Sequence, residues 1–81
     1  MSISGNQIKA ARALAGLDQK GLAERANVGI NTIRNMEAAD AGNVRGRTDT
    51  LDAVVAALKS AGVIFVEENG EGPGVRLRKA K

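Results

Sequence analysis

DQKGLAERANVGINTIRNME, residues 18–37, is the stretch on which the fold turns. Asp18 offers an N-cap, its carboxylate placed to accept the free N–H groups of Gln19, Lys20 and Gly21, and Leu22, Ala23 and Ala26 supply an inner face. The pattern predicts a short helix over 18–26. Asn27-Val28-Gly29 then breaks it with two of the residue types that best tolerate positive φ. Helical patterning resumes at Ile33 and Met36 and predicts a second short helix, about 29–37. Ala23 is small where two steeply crossing helices touch, and Val28 with Ile33 forms an apolar wedge beneath the turn.

On the amino side, Ser4-Gly5-Asn6 is a polar start, followed by Ile8, Ala11 and Ala15 at helical spacing until Gly16-Leu17. This predicts a helix over about 6–15. On the carboxyl side, AADAGNVRGR (38–47) lacks periodicity and reads as a loop. Thr48 or Asp49 caps a fourth helix whose Leu51, Val54, Val55 and Leu58 recur at i, i+3, i+4 and i+7, with Gly62 ending it. Val63-Ile64-Phe65-Val66 is β-branched and aromatic, 69–74 is turn material, and Val75-Arg76-Leu77-Arg78 alternates with period two, so a hairpin of strands 63–67 and 74–78 is expected. The expected architecture is mainly α: four helices in residues 1–62, then a C-terminal β-hairpin and basic tail in 63–81 of the same domain.

With 81 residues, the chain holds one small core. That core is aliphatic, because Phe65 is the only aromatic residue, and stacking on single-stranded bases is correspondingly disfavoured. Cys and His are absent, which removes disulfides, thiol nucleophiles, imidazole bases and the common zinc sites. The glycine-rich segment 70–74 precedes no helix, so it does not read as a phosphate-binding loop. No enzyme activity and no cofactor are expected. No apolar run approaches the roughly 18 residues of a membrane span, and a cytoplasmic location without membrane association is expected. The net charge of +3 permits a polyanionic partner without establishing one.

The succession Arg12, Gln19, Ala23, Val28, Ile33, Glu37 resembles that of the Cro and phage-repressor class of helix-turn-helix regulators, the XRE family, over roughly residues 6–61. The resemblance implies a lambda-repressor-like four-helix domain and a transcriptional regulator that binds double-stranded DNA in the bacterial nucleoid. Three positions depart from the family pattern: Asn27 stands where Gly is usual, Gly21 sits inside the second helix at about 1 kcal/mol relative to Ala, and Gly29 occupies an N-cap where Ser or Thr is usual. Small bacterial regulators resembling this chain share an ending similar to AGVIFVEENGEGPGVRLRK.

The resemblance also implies site residues. Arg12 and Glu37 match the buried ion pair of the phage repressors, a registration device more than a source of net stability. The third helix is implied to be the recognition helix, with Ile30, Asn31, Thr32 and Asn35 facing the major groove. The Asn31 amide suits adenine N6 and N7, while Ile30 and the Thr32 methyl suit a thymine methyl. Arg34 reaches guanine or a phosphate. Gln19, Lys20 and the N–H groups opening the second helix look like a phosphate clamp, which the Asp18 charge opposes. Arg45 and Arg47 are expected at phosphates or in the minor groove.

Four successive apolar residues in 63–66 call for cover on both faces of one strand, and a homodimer using Ile64, Phe65 and Val66 is the expected source. A two-fold dimer would address two successive half-sites of a palindrome. Arg76 and Arg78 form a basic stripe that either touches flanking phosphates or deters strand aggregation. The rival expectation is a protein-interaction module on the same fold, an antiactivator or antitoxin gripping its protein partner through the hairpin.

Overall fold

The computed structural model describes residues 2–45 and 48–79. In chain order the elements are α1 (Gly5–Leu14), α2 (Gln19–Ala26), α3 (Ile30–Glu37), α4 (Thr48–Ser60), β1 (Val63–Val66) and β2 (Gly74–Leu77). The molecule is mainly helical, with one two-stranded antiparallel sheet.

Each helix starts for a local reason. Ser4 caps α1 through a reciprocal pair: its Oγ accepts from the Gln7 N–H at 3.1 Å, and its own N–H donates to Gln7 Oε1 at 2.9 Å. Asp18 caps α2, with Oδ1 accepting from the Gly21 N–H at 2.6 Å. Gly29 opens α3 from extended backbone with no side-chain cap. The α2–α3 turn is closed by Asn27 in the left-handed conformation, φ 57° and ψ 46°. There Val28 N–H donates to Ala23 O and Asn27 N–H to Glu24 O, which satisfies the last carbonyls of α2. Because α4 begins at Thr48, Thr48 and Asp49 lie within its first turn and are not its cap; Asp49 contributes its charge to the positive end of the helix.

Ile8, Leu22, Ile33, Val54, Leu58 and Val63 are the largest fully buried side chains, so every helix and β1 contributes to one aliphatic core. Helix α2 packs between α3 and α4, α1 packs on α3 and β2, and β1 lies against α4. Gly5 allows the closest helix approach. A Cβ there would stand 2.6 Å from Met36 O, 2.7 Å from Asp40 N and 2.8 Å from Glu37 O, so α1 enters directly over the end of α3.

In the hairpin, Val63 pairs with Leu77, Ile64 with Arg76, Phe65 with Val75 and Val66 with Gly74. Val63, Phe65 and Val75 face the core, while Ile64, Val66 and Arg76 take the other side. Phe65 therefore differs from its expected place on a partner surface: it is half-buried against this chain's own core, because strand parity sets it with Val63. Ile64 and Val66 are half-buried as well.

Candidate functional site

Helix α3 has two sharply different sides. Ile33, Met36 and Glu37 are buried, and Asn31, Arg34 and Asn35 are exposed on the opposite side. Arg34 Nη1 donates to Asn31 Oδ1 at 3.2 Å, an i, i+3 pair on the surface. The Asn31 oxygen retains a second lone pair, and its amide N–H groups remain available to a base edge. Thr32 is half-buried. Ile30 differs from its expected place in a groove: it packs against the core, since the first turn of α3 must close over α2.

Beneath this helix the structure brings Arg12 and Glu37 together. Glu37 is 3% exposed, and both of its oxygens are satisfied. Oε2 accepts from Arg12 Nε at 2.8 Å, and Oε1 accepts from Arg12 Nη2 and from Gln19 Nε2, each at 3.2 Å. Arg12 Nη1 donates to Leu17 O at 3.0 Å. The Glu37 hydrogen bonds raise the Arg12 pKa above its ordinary value, against desolvation and with help from the Glu37 charge. One buried carboxylate thus joins the end of α3 to α1 and to the start of α2.

Gln19, expected at a phosphate, donates an amide N–H inward to Glu37, whose buried oxygens need hydrogen bonds. Lys20 and Arg45 are exposed, while Arg47 lies outside the described residues. The outward-facing groups are therefore Asn31, Arg34, Asn35, Lys20 and Arg45, together with the uncapped start of α3.

The chain matches no family model and no curated protein.

Several structural residues were not singled out by sequence reasoning. Gln7 is 5% exposed and links the α1 cap to the hairpin, with Nε2 donating to Gly74 O at 3.2 Å. Its signal was present in the Ser4-x-x-Gln7 spacing of a capping box. Lys9 pairs with Asp40 at 2.6 Å, and nothing in their separation of 31 positions announces it. Gly5 reads only as part of a polar start, since close backbone approach leaves no trace in a single sequence. No helix among the described residues is long and apolar enough to cross a membrane.

Proposed function

We propose that this chain is a sequence-specific, double-stranded-DNA-binding transcriptional regulator of the XRE kind, reading its operator with α3 of a helix-turn-helix and occupying a palindromic site as two copies. The observation that carries this reading is the two-sidedness of α3: Asn31, Arg34 and Asn35 are exposed on a helix fixed from behind by Ile33, Met36 and the Glu37 network. A reading helix must hold short polar side chains at fixed positions against base edges, and rigid support from behind is what makes such contacts selective. Asn31 and Arg34 supply the base contacts. Lys20, Arg45 and the open N-terminus of α3 supply attraction to phosphates. Two copies would present α3 to successive half-sites about 34 Å apart.

Selection of random DNA fragments on the purified protein at about 0.15 M salt tests the reading, with Asn31→Ala/Arg34→Ala as the control. The expected result is one palindromic sequence, absent from the control and bound more weakly as salt rises. Equal recovery by both proteins would overturn it and favour the protein-interaction alternative, an antiactivator or antitoxin acting through the hairpin.

A further inference from the structure

The tip of the hairpin holds a pair of residues found nowhere else in the chain. Of the asparagines, Asn69 alone precedes a glycine; Asn6, Asn27, Asn31, Asn35 and Asn43 are followed by Gln, Val, Thr, Met and Val. The backbone nitrogen after an asparagine can attack that residue's own Cγ and close a succinimide ring, an approach that a following side chain hinders. Glycine leaves the nitrogen open. Asn69 and Gly70 are both exposed, and Gly70 holds φ 100° in the turn between β1 and β2, a conformation that costs glycine little.

Two hydrogen bonds of this turn fall on the atoms that would react. Gly70 N–H, the nucleophile, donates to Glu68 Oε2 at 2.6 Å. Asn69 Oδ1, the oxygen that takes up charge when Cγ is attacked, accepts from Glu71 N–H at 3.2 Å. This second bond folds the Asn69 amide back over the peptide that follows it. The Glu68 carboxylate is itself held in place, since Oε2 also accepts from Gly72 N–H at 3.0 Å. A base on the proton of the nucleophile and a donor on the developing oxyanion are the aids that attack on an amide carbonyl calls for.

A hydrogen bond can also restrain a backbone nitrogen. In a helix or a sheet ladder the acceptor is a carbonyl, too weak a base to take the proton, and its bond only fixes the nucleophile. Here the acceptor is a carboxylate, and residues 69–72 lie between the paired strands, not within them.

We propose that Asn69 is a site of self-modification, deamidating through a succinimide with Glu68 as the base and the Glu71 N–H as the oxyanion donor. The bond from Gly70 N to Asn69 Cγ forms as the Gly70 proton passes to Glu68. The Cγ–Nδ2 bond then breaks, and the amide nitrogen leaves as ammonia with that proton. Water opens the imide at Cγ to give aspartate, or at the main-chain carbonyl to give isoaspartate, in which the backbone runs on through the former side chain. Either product sets a further carboxylate among the exposed Glu67, Glu68 and Glu71 and lowers the formal net charge of +3 by one unit.

Incubation of the purified intact chain in warm buffer at neutral pH, followed by intact mass, ion exchange and peptide mapping, tests the proposal. The wild type is expected to release ammonia, to gain the mass difference between an amide and an acid, and to show aspartate and isoaspartate at position 69. Asn69→Gln is the unreactive reference, because ring closure from glutamine is far slower. Glu68→Gln keeps an oxygen that can accept from Gly70 and Gly72 but removes the base. Its conversion should be slower by about tenfold or more in the folded chain, while variant and wild type convert alike in concentrated guanidinium chloride. A folded Glu68→Gln chain that converts as fast as the wild type, or faster, would overturn the proposal, because the bond to Gly70 would then only restrain the nitrogen. So would a folded wild type that stays intact while the unfolded chain converts.

Discussion

Helices α1 and α3 are both short, both buried on one side, and pressed together there, yet their outward sides differ in kind. Outward on α3 are Asn31, Arg34 and Asn35; outward on α1 are Asn6, Ala10, Ala13 and Leu14. The difference does not come from a shortage of charge on α1, which has Lys9 and Arg12. It comes from where those cations are used: each is drawn to a carboxylate, Asp40 or Glu37, at or just beyond the end of α3. Helix α1 thus uses both of its cations to fix its neighbour, leaving Asn6, Ala10, Ala13 and Leu14 outward, while α3 is held from below and keeps polar groups for the outside. If this division is sound, changes at the junction affect stability, and changes on the outward sides affect association with other molecules.

The strongest way to break the comparison is at the junction. Glu37→Ala removes the acceptor of Arg12 and Gln19 together, and unfolding free energy should fall by about 3 kcal/mol. That is the low end of the range for broken buried pairs, because the Arg12 side chain is 22% exposed and water can reach it. A denaturant melt matching the wild type would show that the two helices are held by packing alone. Gly5→Ala should cost about 2 kcal/mol by forcing α1 away from the Met36 and Glu37 carbonyls. Its effect should exceed that of alanine at any other glycine with φ below zero, a ranking that thermal melts of the set would test.

The outward side of α3 should behave in the opposite way. Asn31→Ala/Arg34→Ala should leave stability within about 0.5 kcal/mol while weakening operator binding about thirtyfold, or about 2 kcal/mol. A loss of fold that matches the loss of binding would erase the distinction between the two helix sides. The smallest expected effect is a gain. Gly29 has no side-chain cap, ordinary extended backbone at φ −73°, and open space where a Cβ would go. Gly29→Ser should add about 0.5 kcal/mol by capping α3 and restricting the unfolded chain, and an unchanged melting temperature would count against the open end of α3 as a point of weakness.

The elements were legible because their signals are local. Asp18 ahead of an amphipathic octet, Asn27 in the break, the stripe from Leu51 to Leu58 and the turn-rich 69–74 segment each act within a few residues. The outward set on α3 was legible in part: the alternation that buries Ile33 and Met36 sends Asn31, Arg34 and Asn35 outward, but it could not show that Ile30 would be drawn down by α2. The inward hydrogen bond of Gln19 was not legible for a related reason. A glutamine opening a helix serves a phosphate and a buried carboxylate equally well, and only the position of Glu37 decides. Leu77 shows the limit of strand parity. It shares a side with Val63, yet Val63 is fully buried while Leu77 is nearly half exposed, since burial depends on how far the helices beneath extend.

The amino-terminal residues are tied down by the backbone as well as by side chains. Val44 N–H donates to Ile3 O at 2.7 Å, Gly5 N–H to Gly42 O at 3.2 Å and Asn6 N–H to Asp40 O at 2.8 Å, while Ser4 forms a bridge with Asn43. Residues 3–6 and 40–44 are thereby laced into one strip, though 33 residues of chain lie between them. Opening either stretch exposes the amides of both, so the first turn of α1 cannot fray alone as a helix end ordinarily does. The chain's beginning is as durable as the loop that follows α3, and the two should exchange their hydrogens with solvent as a single unit.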